Sequence, residues 1–175
     1  SSPSQSQVDN LLGHYQNGRY DEAEKLAVIV TQKFPKYQLG WKVLGALLKQ
    51  TGRVLESLVP SQKATVLSPQ DAEAHNNLGI TLQELDRLEE AEISLRQAVT
   101  LRPDFPIAHN NLGNTLQELG RLEEAEASYT QAIALKPDSP ESYNNLGNTL
   151  QELARLEEAY ASYTQAIALK PDYAE

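Results

Sequence analysis

Along residues 106–139, core-type side chains recur at helical spacing, pause, and recur again. His109, Leu112, Gly113, Leu116 and Leu119 fall at i, i+3, i+4, i+7 and i+10, and Ala125, Tyr129, Ala132 and Leu135 form a second stripe. This period predicts two amphipathic helices. Gly120 between them suits a left-handed helix end. Glu123 and Glu124 open the second helix and Lys136 closes it, each with the sign that the helix dipole favours. Pro137 then stops it. Small residues at Gly113, Ala125 and Ala132 let the two helices approach closely.

The same pattern recurs with a period of 34. Residues 109–138 and 143–172 agree at 27 of 30 positions, differing only at His109/Tyr143, Gly120/Ala154 and Glu126/Tyr160. Earlier copies lie at 75–104 and 41–70, and a more divergent one ends in GRYDEAEKLAVIVTQKFP. Pro35, Pro69, Pro103, Pro137 and Pro171 keep the beat. The pattern predicts a polar, disordered tail at 1–7, a divergent unit at 8–37, and full units at 38–71, 72–105, 106–139 and 140–173. Ala174 and Glu175 would begin a further unit, so the chain is expected to stop inside a longer array. A fixed period of this length is the signature of stacked repeats, each covering the next one's core.

The units resemble tetratricopeptide repeats. The family pattern W-x2-L-G-x2-Y, A-x3-F, P is met by Trp41, Leu44, Gly45 and Leu48, and by His109, Leu112, Gly113, Leu116, Ala125, Tyr129 and Pro137. The resemblance implies an all-α, right-handed superhelical solenoid of about five helix-turn-helix units. Departures are expected to matter locally. Asn10 and Leu11 stand where the first unit should carry Leu-Gly. Pro60 falls inside a helix and is expected to kink it. Asp86 and Ala154 replace the turn glycine, and Ala154 is expected to alter its turn.

One feature runs against helix propensity. NNLGNTLQEL occurs at 110–119 and 144–153, with NNLGITLQEL at 76–85, yet asparagine is a poor helix former. With Asn110 set at zero, the core residues of its helix fall between roughly 180° and 300°. Asn110, Asn111, Asn114, Gln117 and Glu118 fall between roughly −20° and 100°, off the core. In the resembling family the first helix of each unit lines a concave, peptide-binding side. By that resemblance Asn77, Asn111 and Asn145 form a row along a groove, flanked by Asn76, Asn110, Asn144, Asn114 and Asn148. An amide offers both a donor and an acceptor, matching a peptide backbone irrespective of its side chains. Eight such asparagines could cost about 3–5 kcal/mol in helix propensity, and ligand binding is one offset. The other reading is structural: the amides bond between units and stiffen the array. The units are also similar to the repeat arm of O-linked N-acetylglucosamine transferases, which implies a substrate-recruiting role beside a separate catalytic domain.

Charge and composition narrow the partners. The net charge is −9, with no basic stripe for nucleic acid or an anionic membrane. A chaperone-tail clamp needs several groove cations, and only Lys42 and Lys49 have suitable offsets; Glu73, Glu84, Glu118, Glu141 and Glu152 dominate elsewhere. There is no cysteine, which excludes disulfides and thiolate chemistry. Phosphate-loop, nucleophile-elbow and zincin motifs are absent from the sequence. His75 and His109 share one packing slot, and the Glu pairs open helices. The expectation is a soluble, intracellular, cytoplasmic module with no cofactor or metal. It binds extended protein segments, with no nucleic-acid or membrane partner, and is not itself an enzyme. Self-assembly through uncapped repeat ends is the alternative, with the helix around Ser162, Gln165 and Ile167 as the exposed end.

Overall fold

The computed structural model describes residues 2–170, and those residues form ten helices with no strand. They are α1 (Gln5–Gln16), α2 (Tyr20–Lys33), α3 (Gln38–Gln50), α4 (Val54–Leu67), α5 (Ala72–Glu84), α6 (Leu88–Leu101), α7 (Pro106–Glu118), α8 (Leu122–Leu135), α9 (Pro140–Glu152) and α10 (Leu156–Leu169). Odd-numbered helices are the first helices of the repeats, and even-numbered ones the second. Residues 171–175, which hold Pro171 and the expected start of a further unit, lie outside the described residues.

The chain divides into two compact units, residues 1–87 and 88–175. The first contains α1–α5 and is centred on Leu11, Ala23, Ala27, Val30, Val43, Leu44, Leu47 and Leu48. The second contains α6–α10 and is centred on Leu95, Leu112, Leu116, Ala125 and Tyr129. Each fully buried Leu contributes about 1.5–3 kcal/mol. Close approach relies on small residues. A methyl group on Gly113 would sit 2.6 Å from Cε1 of Tyr129, inside contact distance, so the glycine makes room for the ring.

Caps follow the sequence. Asp71 accepts from the backbone N–H groups of Glu73 and Ala74 at 3.0 and 3.1 Å, satisfying the first turn of α5. Residues 5–7, expected in a disordered tail, instead form the first turn of α1. Ser4 and Gln7 make a reciprocal capping box there, and Val8 and Leu11 are buried. The divergent first unit is therefore still a helix pair. Pro60 lies within α4, which runs as one helix from Val54 to Leu67.

The turn at Ala154 is not altered. Its φ is 59°, beside 72° at Gly120 and 57° at Asp86. Its hydrogen bonds, Ala154 N to Gln151 O at 3.0 Å and Arg155 N to Leu150 O at 2.9 Å, repeat those of Gly120 and Arg121. The helix-closing bonds outweigh the left-handed penalty of about 1–2 kcal/mol for a residue with a Cβ.

An ion ladder joins successive repeats inside each unit. Arg19, Arg53, Arg87, Arg121 and Arg155 stand 34 apart, just before the second helices. Arg121 donates to Glu92 at 2.7 Å, and Arg155 donates to Glu126 at 2.6 Å. Arg53 pairs likewise with Glu24. These pairs are partly exposed, so each is worth about 0–1 kcal/mol.

Candidate functional site

The asparagine side chains divide by position. Asn76 and Asn110 are only 5% and 7% exposed, although the helical wheel places them off the core. For Asn110 the cause is α9: Asn110 Nδ2 donates to Glu141 Oε1 at 3.3 Å, and its Oδ1 accepts from Asn145 Nδ2 at 3.4 Å. A wheel for one helix pair cannot register burial by the next repeat. Asn77, Asn111, Asn114 and Asn145 are half-buried, and Asn144 and Asn148 are exposed.

Within the second unit these amides form a network between α7, α8 and α9. Asn145 Nδ2 also donates to Asn114 Oδ1 at 3.0 Å. The Tyr129 hydroxyl donates to Asn114 Oδ1 at 2.7 Å and lies 3.1 Å from Gln117 Oε1. Thr149 Oγ1 donates to the Asn145 carbonyl at 3.1 Å and lies 3.3 Å from Gln117 Oε1, and Gln117 Nε2 donates to Glu152 Oε1 at 2.6 Å. Tyr163 repeats the motif with Asn148 and Gln151, at 2.8 and 3.0 Å. The second asparagine pairs with its own repeat's tyrosine, and the row asparagine ties two repeats together.

Asn114, Gln117, Glu118, Asn145 and Glu152 line one open polar depression on α7 and α9. Two amide groups on its wall, Asn114 Nδ2 and Asn145 Oδ1, have no partner among the described residues. One is a donor and one an acceptor, which is the complement of a peptide unit. The Tyr129 hydroxyl is pushed well above the usual tyrosine range by burial, and then by Glu118, Glu152 and Glu141. It is therefore a neutral donor at any physiological pH.

His75 and His109 do structural work. His75 and His109 ring nitrogens lie 3.0 and 2.9 Å from the carbonyls of Pro69 and Pro103. Trp41, in the equivalent slot, donates to the Pro35 carbonyl at 2.9 Å. This slot pins the preceding proline turn to the next first helix. Among the described residues no group of three or more His, Cys, Asp or Glu is placed to hold a metal ion. No described helix is long and apolar enough to cross a membrane.

Helix pairs at a 34-residue period, with glycine-to-tyrosine packing and a polar first-helix face, define an all-α helical-repeat protein. Family models bear this out in detail. A "TPR repeat" model matches residues 84–120 and 118–154, and two "Tetratricopeptide repeat" models match 140–173 and 62–93. The chain belongs to the tetratricopeptide repeat family.

Solved structures share the fold. A crystal structure of MamA is 22% identical, with a TM-score of 0.83, covering 93% of this chain and 95% of that one. MamA from Desulfovibrio magneticus RS-1 is 17% identical, with a TM-score of 0.86 and coverage of 98% and 97%. TTC0263, a thermophilic TPR protein of Thermus thermophilus, is 26% identical, with a TM-score of 0.75 and coverage of 95% and 91%. No curated protein matches the chain.

The sequence reading located the amide-bearing face but missed two things. One is the buried tyrosine hydroxyl that bonds Asn114, because Tyr129 reads as a core residue. The other is the arginine ladder, whose 34-residue beat was visible in the sequence.

Proposed function

We propose that the chain is a protein-interaction scaffold that holds an extended peptide segment on the first-helix faces of its repeats. The observation that supports this is the open donor and acceptor pair, Asn114 Nδ2 and Asn145 Oδ1, on the wall of a polar depression. In this reading Asn111 and Asn145 contact the peptide backbone on the second unit, with Asn114, Asn144 and Asn148 beside them, and Asn77 holds the equivalent position in the first unit. Buried Asn110 holds Asn145 by its Oδ1. The scaffold carries out no reaction of its own, and recruitment for a catalytic domain in a larger protein is one use of such a surface.

The test is fluorescence polarisation with a set of labelled, unstructured peptides. The Asn77→Ala/Asn111→Ala/Asn145→Ala variant should remain helical and lose binding by at least tenfold, from hydrogen bonds worth about 1 kcal/mol each. Unchanged binding by the folded variant would count against the reading.

Self-association is the second reading. The surface lined by Pro140, Glu141, Asn144, Tyr163, Ala166 and Ile167 repeats the surface of α7 and α8 against which α9 packs. Ile167 and Tyr160 are 47% and 75% exposed. Light scattering that finds a strict monomer at high concentration would remove it.

A further inference from the structure

The repeats themselves show a lysine bonded at one carboxylate position of the first helix and a second lysine within electrostatic reach of another. In the first unit, Glu73 opens α5 and Glu84 ends it. Glu73 Oε2 accepts from Lys42 Nζ at 2.6 Å, and Lys42 also bonds Asp71 at 3.0 Å. Burial pulls the Lys49 ammonium below the usual lysine range, and the charge of Glu84 pushes back. Lys42 precedes Glu73 by 31 residues, and Lys49 precedes Glu84 by 35.

The same two positions in α9 are Glu141 and Glu152, 68 residues further on. At the same offsets of 31 and 35 stand Asn110 and Gln117, so both lysines are replaced by neutral amides. The amides still reach the carboxylates, Asn110 to Glu141 at 3.3 Å and Gln117 to Glu152 at 2.6 Å. A neutral amide satisfies an oxygen lone pair but not the charge. Neither α7 nor α9 contains a Lys or Arg. Among the described residues neither Glu141 nor Glu152 has an ion-pair partner.

We propose that the α7–α9 face binds a basic segment, whose Lys or Arg side chains meet Glu141 and Glu152 where Lys42 and Lys49 stand in the first unit. This rests on the peptide-binding reading and adds the charge class of the partner. Glu152 lines the same depression as the open amide pair, and Glu118 lies there too. The amides then hold the backbone and the carboxylates choose the side chains. Glu141 and Glu152 are 11 residues apart on one helix, about 16 Å by helical rise. An extended segment lying along α9 spans that distance in about five residues.

The experiment uses a labelled Gly/Ser peptide carrying two Lys about five residues apart, and matched peptides with Gln or Glu at both positions. The Lys peptide should bind about tenfold more tightly than the Gln peptide at low salt. The Glu peptide should bind more weakly still, and added salt should shrink the spread. Asn110→Lys/Gln117→Lys supplies the first unit's lysines and should abolish the preference. So should Glu141→Gln/Glu152→Gln, which covers the case where the lysine variant fails to fold. Glu123→Gln, an exposed carboxylate on α8, should leave the preference intact.

Equal binding of Lys and Gln peptides would overturn the basic partner while leaving the peptide-binding reading standing. A preference that survives in a folded Asn110→Lys/Gln117→Lys or Glu141→Gln/Glu152→Gln variant would overturn it as well. If no peptide binds at all, both readings fall.

Discussion

The hydroxyl of Tyr129, on α8, donates to Oδ1 of Asn114, on α7, at 2.7 Å, and Asn145 of the next repeat donates to that same oxygen. One asparagine oxygen thereby joins a repeat's core tyrosine to the following repeat's first helix. The Tyr129 ring fills the space left by Gly113, and its buried hydroxyl bonds Asn114, which lines the polar depression. Packing and amide orientation are thus set by the same residue.

Tyr129→Phe removes that hydroxyl but leaves the ring. Asn114 Oδ1 keeps Asn145, so the acceptor that Tyr129 serves at 2.7 Å is not stranded. The expected cost is about 1 kcal/mol in denaturant unfolding. Tyr163→Phe, whose hydroxyl bonds are exposed, should stay within about 0.5 kcal/mol of the parent.

Gly113→Ala places a methyl group 2.6 Å from the Tyr129 ring. Overpacking of this kind costs about 1–3 kcal/mol. Tyr129→Leu made alone also destabilises, but the two substitutions share one contact. The double variant should be less destabilised than the sum of the singles, measured as a double-mutant cycle.

Ala154→Gly should stabilise. Ala154 holds a φ of 59° where its repeat-mate Gly120 holds 72°. Relief of the left-handed penalty exceeds the entropy that glycine adds to the unfolded chain, for a gain of about 0.5–1 kcal/mol. Thermal unfolding would read it, and a loss of stability would show that the turn is not strained.

Much of this was legible in the sequence, for physical reasons. The 34-residue period, the two apolar stripes and the proline beat determine ten helices, because each obeys a local rule of spacing or capping. Ala154 misled, since a local steric rule predicts a changed turn while the two helix-closing hydrogen bonds preserve the old one. The amide face was legible only as a direction. Its internal wiring depends on side chains about 31 and 35 residues apart, as in the pairs Asn110–Glu141 and Asn110–Asn145, and no single-helix pattern reports those.

Acid should weaken the protein through carboxylates held below their usual range. Burial would raise Asp71, but its bonds from Lys42 and the Ala74 N–H outweigh that, and the net shift is down from 3.8. Burial likewise opposes Arg96 and Arg121 at Glu92, which still ends below 4.5. A folded-state value below the unfolded one gives stability that is present above the unfolded value and lost as pH falls through the folded one. Denaturant midpoints should therefore fall as pH drops below about 4.5. Asp71→Asn/Glu92→Gln should flatten that fall.

The central claim is that the first-helix amides face a bound peptide, and side-chain NH2 signals in a nitrogen–proton correlation spectrum test it most directly. Titrating the two-Lys peptide into the labelled protein should shift the Asn114 and Asn145 signals saturably, along with backbone signals of α7 and α9. Shifts confined to the outer faces of α8 and α10, with Asn114 and Asn145 unmoved at saturation, would contradict it.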